Sequence, residues 1–229
     1  MQTIEPTSKV GGITVRVPGA WKVFMRYGID YCCRGGEPLQ AACVERGLDV
    51  DVVLRDLHAL AGEASPDDEG TRWNARPLEE LVEHIVSHYH ARHKEELPML
   101  VAMADKVAWV HGAKDERLAA LRDEVHGLAA ELDAHMMKEE HVLFPMILAG
   151  RGAQAGAPIR VMLMEHDDAG TGLERIAELT DGFLSPVGAC GTWRALFSGL
   201  RDLDEALRLH IHLENNVLFP SALGSSDLR

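Results

Sequence analysis

His135-Met-Met-Lys-Glu139-Glu-His-Val-Leu-Phe-Pro145 returns further along the chain as His210-Ile-His-Leu-Glu214-Asn-Asn-Val-Leu-Phe-Pro220. Both copies keep the histidine, the glutamate four residues on, and the Val-Leu-Phe-Pro tail. On a helix, residues four apart project from one face a turn apart, so each copy offers an imidazole and a carboxylate to the same point. A repeat of this kind predicts two helical hairpins related by a pseudo-twofold axis.

Upstream of the first copy, Leu118, Leu121, Val125, Leu128 and Leu132 lead to His135, Glu139 and Val142 in steps of three and four, which is one inward helical stripe. Trp193, Leu196, Leu200, Leu203 and Leu207 lead to His210, Glu214 and Val217 in the same way. A third stripe runs Ile159, Met162, His166, Ala169, Leu173, Ile176. From Pro77 onward the chain reads as four long helices with no alternating run to suggest a sheet. At one level of the predicted core, polar residues stand where apolar ones are expected.

Turns near His111–Lys114 and Asp181–Gly191 decide which histidines share that level. Antiparallel pairing about the first brings His90 to the height of His135, and pairing about the second brings His166 to the height of His210. The expected ligand set is therefore His90, His135, Glu139, His166, His210 and Glu214. His111 lies on the same stripe as His90, but 21 residues of helix span about 32 Å, which puts it out of reach unless the chain reverses near Pro98. His88, His93, His126, His141 and His212 fall off the ligand lines and are expected on the surface or behind the ligands. Phe144, Phe219, Met136, Met137, Met162 and Met164 are expected to pack.

A single histidine on an apolar stripe is more often a hydrogen-bonded core residue than a ligand. Six residues able to bind metal at one level weigh against that. Burying two carboxylates without cations costs several kcal/mol each, by an order-of-magnitude estimate, and the sequence supplies no compensating cations. Carboxylates can bridge two ions while imidazoles cap them, and this mixed nitrogen and oxygen set suits iron or manganese better than a thiolate set does. Iron is the first choice, and zinc remains compatible with these donors. Ferritin-like oxidases carry Glu-x-x-His, the reverse order at a different spacing.

The 229 residues suffice for a large and a small domain with a proper core. A formal charge of -13 excludes a sequence-independent grip on nucleic acid or anionic lipid, since both depend on basic patches. With neither an apolar leader nor a membrane-length apolar run, the chain is expected to be cytoplasmic. Gly62–Arg76 is polar and broken by Gly and Pro, which predicts a small helical domain over 1–62, a linker over 63–76 and the bundle over 77–229. The small domain holds helical patterns at Pro18–Tyr27, Pro38–Arg46 and Val50–Ala61, the last with Asp49 as N-cap. The four cysteines, Cys32, Cys33, Cys43 and Cys190, make no disulfide framework and no CxxC pair. Cys190, beside Gly191 at a turn, reads as incidental.

Together these motifs resemble the hemerythrin-like superfamily and, within it, the repair of iron centres family of iron-sulfur cluster repair proteins. The likeness rests on Asp30-Tyr31-Cys32-Cys33, Tyr89-His90-Ala-Arg-His93, His135-Met-Met-Lys-Glu139-Glu, Glu165-His166-Asp and the His210–Pro220 stretch, and spans nearly the whole chain. It implies an all-α, up-down four-helix di-iron bundle behind a small helical domain. It also implies two iron ions per chain, bridged by two glutamates and by an oxo or hydroxo group. The implied role is restoring iron-sulfur clusters damaged by nitric oxide or oxidative stress by donating iron, as a repair factor more than a turnover enzyme. Damaged iron-sulfur proteins would be the partners, and NO or O2 small ligands. A redox enzyme acting on nitric oxide or peroxide, or an O2/NO sensor, is the alternative. Gly170, four after His166, stands where an oxygen carrier would have a fifth histidine. Members often read CCGG, whereas Arg34 here separates the cysteines from Gly35-Gly36. The resemblance suggests that Cys32 and Cys33 bind iron or sense redox state; chemistry alone favours two free thiols.

Overall fold

A computed structural model describes residues 4–60, 68–73 and 76–224. Its elements are α1 (Val10–Arg16), α2 (Ala20–Tyr27), α3 (Leu39–Glu45), α4 (Val50–Ala59), α5 (Leu78–His84), α6 (Ala91–His111), α7 (Arg117–Lys138), α8 (Phe144–Leu148), α9 (Gly156–Leu179), α10 (Gly191–Leu213) and α11 (Phe219–Ala222). Widened π turns, Ile85–His90, Glu139–Leu143 and Glu214–Leu218, join α5 to α6, α7 to α8 and α10 to α11. Among the described residues the sole β pairing is an isolated bridge between Lys9 and Pro38. The all-α class expected from the stripes holds. None of these helices is long and apolar enough to cross a membrane.

The chain forms two compact units, one of Met1–Val82, Met146–Ile159 and Arg208–Arg229, the other of Glu83–Pro145 and Arg160–Leu207. In the second unit α6 and α7 pack as neighbours. Gly199 of α10 lets that helix approach α6 so closely that a Cβ there would stand 2.7 Å from Leu100 Cδ2. Gly172 of α9 faces Glu124 and Leu128 of α7. Leu97, Leu100, Ala104 and Val107 of α6 are buried, as are Leu118, Leu121, Val125, Leu128 and Leu132 of α7. So are Leu173 and Ile176 of α9 and Trp193, Leu196, Leu200 and Leu203 of α10. The three- and four-residue steps thus mark the buried face of each helix. Pro98 lies inside α6 without ending it, so the reversal that would rescue His111 does not occur.

In the first unit α2, α3 and α4 match the predicted patterns, and Asp49 Oδ1 accepts from Asp51 N at 2.9 Å as the N-cap of α4. The sequence gives no warning of α1, whose Val-Gly-Gly-Ile-Thr-Val has poor helix propensity. Burial decides there: all six residues are sequestered, and α1 packs on the Glu214–Leu218 turn. Gly11 and Gly35 approach Asn216 of that turn too closely for any side chain, a Cβ at either standing 2.3 Å from Asn216 Oδ1. Of the predicted linker, 63–67 and 74–75 lie outside the described residues. Asp68–Trp73 packs within the first unit: Trp73 is buried, and Trp21 Nε1 donates to Asp68 at 3.3 Å.

The stripes fail in one respect. Val142, expected inside, is 51 % exposed, while Leu143 and Phe144 are buried. The Phe144 N–H bonds the carbonyl of Glu139, five residues back, and the extra residue in that turn advances the inward face by one. Phe219 N–H bonds the Glu214 carbonyl in the same way. Pro145 and Pro220, which have no N–H and press on the carbonyl four residues back, favour the wider turn. Met137 and Met164 are also corrected: both are exposed, whereas Met136, Met162, Phe144 and Phe219 pack as expected.

Candidate metal centre

Within the second unit the structure brings His90, His135, Glu139 and His166 together. The Glu139 carboxylate is fully buried, and neither oxygen has a hydrogen-bond partner among the described residues. Its Oε2 lies 3.4 Å from His90 Nε2 and 3.4 Å from His135 Nε2. His135 Nε2 stands 3.0 Å from His166 Nε2. Within the first unit His210 Nε2 lies 3.2 Å from Glu214 Oε1, both side chains buried.

The ring tautomers follow from what lies behind the rings. His90 Nδ1 is 2.8 Å from Glu140 Oε1, and His135 Nδ1 is 2.8 Å from Glu165 Oε2. A carboxylate only accepts, so each Nδ1 carries the proton and each Nε2 turns a lone pair toward Glu139. Lys94 Nζ bonds Glu140 at 2.7 Å and Lys138 bonds Glu165, adding a cation behind each carboxylate. Burial would raise the pKa of both glutamates. The bonds from Lys94 and His90 outweigh that at Glu140, as those from Lys138 and His135 do at Glu165, and both carboxyls sit below their ordinary value.

The Nε2 lone pairs of His90 and His135, each 3.4 Å from Glu139 Oε2, repel that carboxylate unless a cation lies among them. For metal bonds of about 2.1 Å set at right angles, adjacent ligand atoms stand about 3.0 Å apart. The donor set fits a metal on spacing, tautomer and chemistry. Sequence reasoning missed Glu140 and Glu165, which hold the imidazoles as carboxylates behind metal-bound histidines characteristically do. Their signal was present, Glu140 directly following Glu139 and Glu165 directly preceding His166.

The Hemerythrin HHE cation binding domain matches residues 81–222. The chain belongs to this hemerythrin HHE family. A domain of unknown function, ScdA_N (DUF542), matches residues 6–61. The chain is 44 % identical over 214 residues, 93 % of its own length and 96 % of theirs, to the proteins named iron-sulfur cluster repair protein YtfE of Pectobacterium carotovorum and Pectobacterium atrosepticum. The YtfE of Yersinia pseudotuberculosis is equally similar.

The other histidines of the sequence-predicted set fall elsewhere. His111 bonds Cys190 at 3.2 Å at the far end of α6. His126 pairs with Asp105 on the surface, and His88 and His141 are exposed. His93 and His212 are fully buried. His212 Nδ1 accepts from Asn216 Nδ2 at 3.1 Å, leaving Nε2–H toward the Gly70 carbonyl, and burial pushes its pKa down to about 4.

Cys32 and Cys33 are not joined in a disulfide, their sulfurs standing 3.6 Å apart, and Asp30 Oδ1 accepts from both backbone N–H groups. Asp30, Cys32 and Cys33 form a cluster of possible ligands. The hydrogen bond to Cys33, with burial, holds the Cys32 thiol well above its ordinary pKa. Arg34 turns its guanidinium to Glu37 and Glu45.

Proposed function

We propose that His90, His135, Glu139, His166, His210 and Glu214 hold two iron ions with Glu139 and Glu214 shared between them, and that the protein repairs damaged iron-sulfur clusters by donating iron. The observation that carries the metal reading is the Glu139 carboxylate, fully buried and without a hydrogen-bond partner among the described residues. An uncompensated carboxylate at that depth costs several kcal/mol, on the order of what breaking a buried ion pair costs. The repeated His-x-x-x-Glu unit supports a second carboxylate in the same role, and the name of the YtfE relatives supports the repair function.

Bound iron supplies redox chemistry and a site for small ligands such as NO or O2. The chain's own residues set how firmly it is held. Glu140 and Glu165 keep the Nδ1 protons of His90 and His135 and so present both Nε2 atoms as ligands. Lys94 and Lys138 offset the negative charge this brings. Gly170 leaves one position near His166 without a side-chain ligand, which favours an iron that can leave. Free thiols suit a reducing compartment, which supports a cytoplasmic site of action. The family matches at 6–61 and 81–222 support a small domain over 1–62 and a bundle over 77–229, with 63–76 linking them.

The test is iron content and visible absorption of the purified protein beside Glu139→Gln and Glu214→Gln, followed by iron transfer to an iron-sulfur protein whose cluster has been damaged. Two irons per chain, depleted in both variants, with cluster absorbance regained only from the loaded wild type, are expected. Unchanged metal content in the variants would remove the ligand assignment. Full loading without cluster recovery would remove iron donation alone.

A further inference from the structure

Cys190 lies at the opposite end of α6 from His90 and is not incidental. Its carbonyl accepts from Arg194 N at 3.1 Å, so Cys190 is the residue from which α10 starts. Its sulfur is 3.2 Å from Nε2 of His111, the last residue of α6. The His111 ring is steadied against Trp193, centroids 5.0 Å apart. Arg194 brings its guanidinium to the Ala189 carbonyl, one residue before the thiol. Cys190 and His111 are both partly exposed, whereas Cys32 and Cys43 are buried.

We infer that Cys190 and His111 form a thiol-disulfide exchange site for low-molecular-weight disulfides such as oxidised glutathione. The sulfur attacks one sulfur of the disulfide as its S–H proton passes to His111 Nε2. A new Cys190 Sγ–S bond forms and the small molecule's S–S bond breaks. The departing thiolate takes the proton back from the imidazolium, so one protein thiol and one disulfide become one mixed disulfide and one small thiol. The thiolate is the attacking species in such exchange, and a base at hydrogen-bond distance speeds its formation. The small disulfide is both substrate and oxidant.

The site is independent of iron, so the iron-loaded protein serves for the test. It is reduced, freed of reductant and mixed anaerobically with oxidised glutathione, and adducts are located by peptide mass mapping over time. Cys190 is expected to carry the first glutathionyl group. His111→Phe, which keeps an aromatic ring against Trp193, is expected to slow its appearance about tenfold or more while leaving the far-ultraviolet circular dichroism unchanged, and His111→Gln to behave alike. Modification of Cys33 ahead of Cys190 in the wild-type protein overturns the inference, whatever the variants do. So does a folded His111→Phe protein that reacts at the wild-type rate.

Discussion

Changing Gly35 to alanine tests how the Cys32–Cys33 loop is held. The new Cβ would stand 2.3 Å from Asn216 Oδ1 and 3.0 Å from Gly11 Cα and the Tyr31 carbonyl, and of these only the Asn216 side chain can move freely. Asn216 Nδ2 lies 3.2 Å from the Tyr31 carbonyl, 3.3 Å from that of Cys32 and 3.1 Å from His212 Nδ1. An amide nitrogen has two protons, so displacing it forfeits two hydrogen bonds at about 1 kcal/mol each. With residual overpacking the expected loss is about 2–3 kcal/mol. In a chain of this size that lowers Tm by roughly 4–12 °C. Asn216→Ala alone should cost about 2 kcal/mol through the same two bonds. The decisive figure is the coupling: in the Asn216→Ala background the clash has gone, and Gly35→Ala should add no more than about 1 kcal/mol. Thermal and urea unfolding of the four proteins measure it. Additive costs, or a Gly35→Ala protein that melts with the wild type, would refute the clamp.

Three further outcomes are expected. Glu140→Gln and Glu165→Gln should each weaken iron binding about 10–100-fold in chelator competition, because the charged acceptor behind the Nδ1–H of His90 or His135 becomes a neutral, weaker amide oxygen, while helix content stays unchanged. Pro98→Ala should raise the melting temperature by a few degrees and leave iron content alone, restoring a helical hydrogen bond in mid-α6, by an amount on the order of 1–3 kcal/mol less the unfolded-state entropy that proline had removed. Arg117 holds the Asp115 carboxyl below its ordinary pKa through a 2.9 Å pair. A depressed carboxylate contributes stability that is complete above its unfolded pKa and lost as pH falls through the folded one. Arg117→Met should therefore flatten the acid limb of stability below about pH 4, by well under 1 kcal/mol at this exposed site, and identical wild-type and variant acid limbs would dismiss the pair.

The helices of the bundle are legible because their apolar residues are periodic, and the proposed ligands lie on the same lines. Leu118 through Glu139 keep one helical phase, and the six proposed ligands follow from that phase and from the turns. What escaped were features that local pattern cannot carry. The wide turns after His135 and His210 leave no periodic mark until the phase has already slipped, which is why Val142 was placed inside. α1 forms against its own propensity because its glycines let it approach Asn216. Cys190 gains a partner only because α6 continues past Pro98 and delivers His111 to it, 79 residues away in sequence.

The repeat was the strongest signal, and its mismatches carry as much as its matches. Val142 and Val217 occupy the same place in the two copies, yet Val142 is exposed while Val217 is buried in a turn that α1 packs on. Glu140 and Asn215 also correspond. Glu140 accepts from His90 and Lys94, so the first copy spends the position after its glutamate on holding another proposed ligand. Asn215 donates to the Cys32 carbonyl at 3.1 Å, and its neighbour Asn216 reaches the same loop where the first copy has the exposed His141. One copy is thus built toward the proposed metal site on both sides of its glutamate. The other keeps its histidine and glutamate and turns the next two residues to the thiol loop, which makes any movement of Cys32 and Cys33 a movement felt one residue from Glu214.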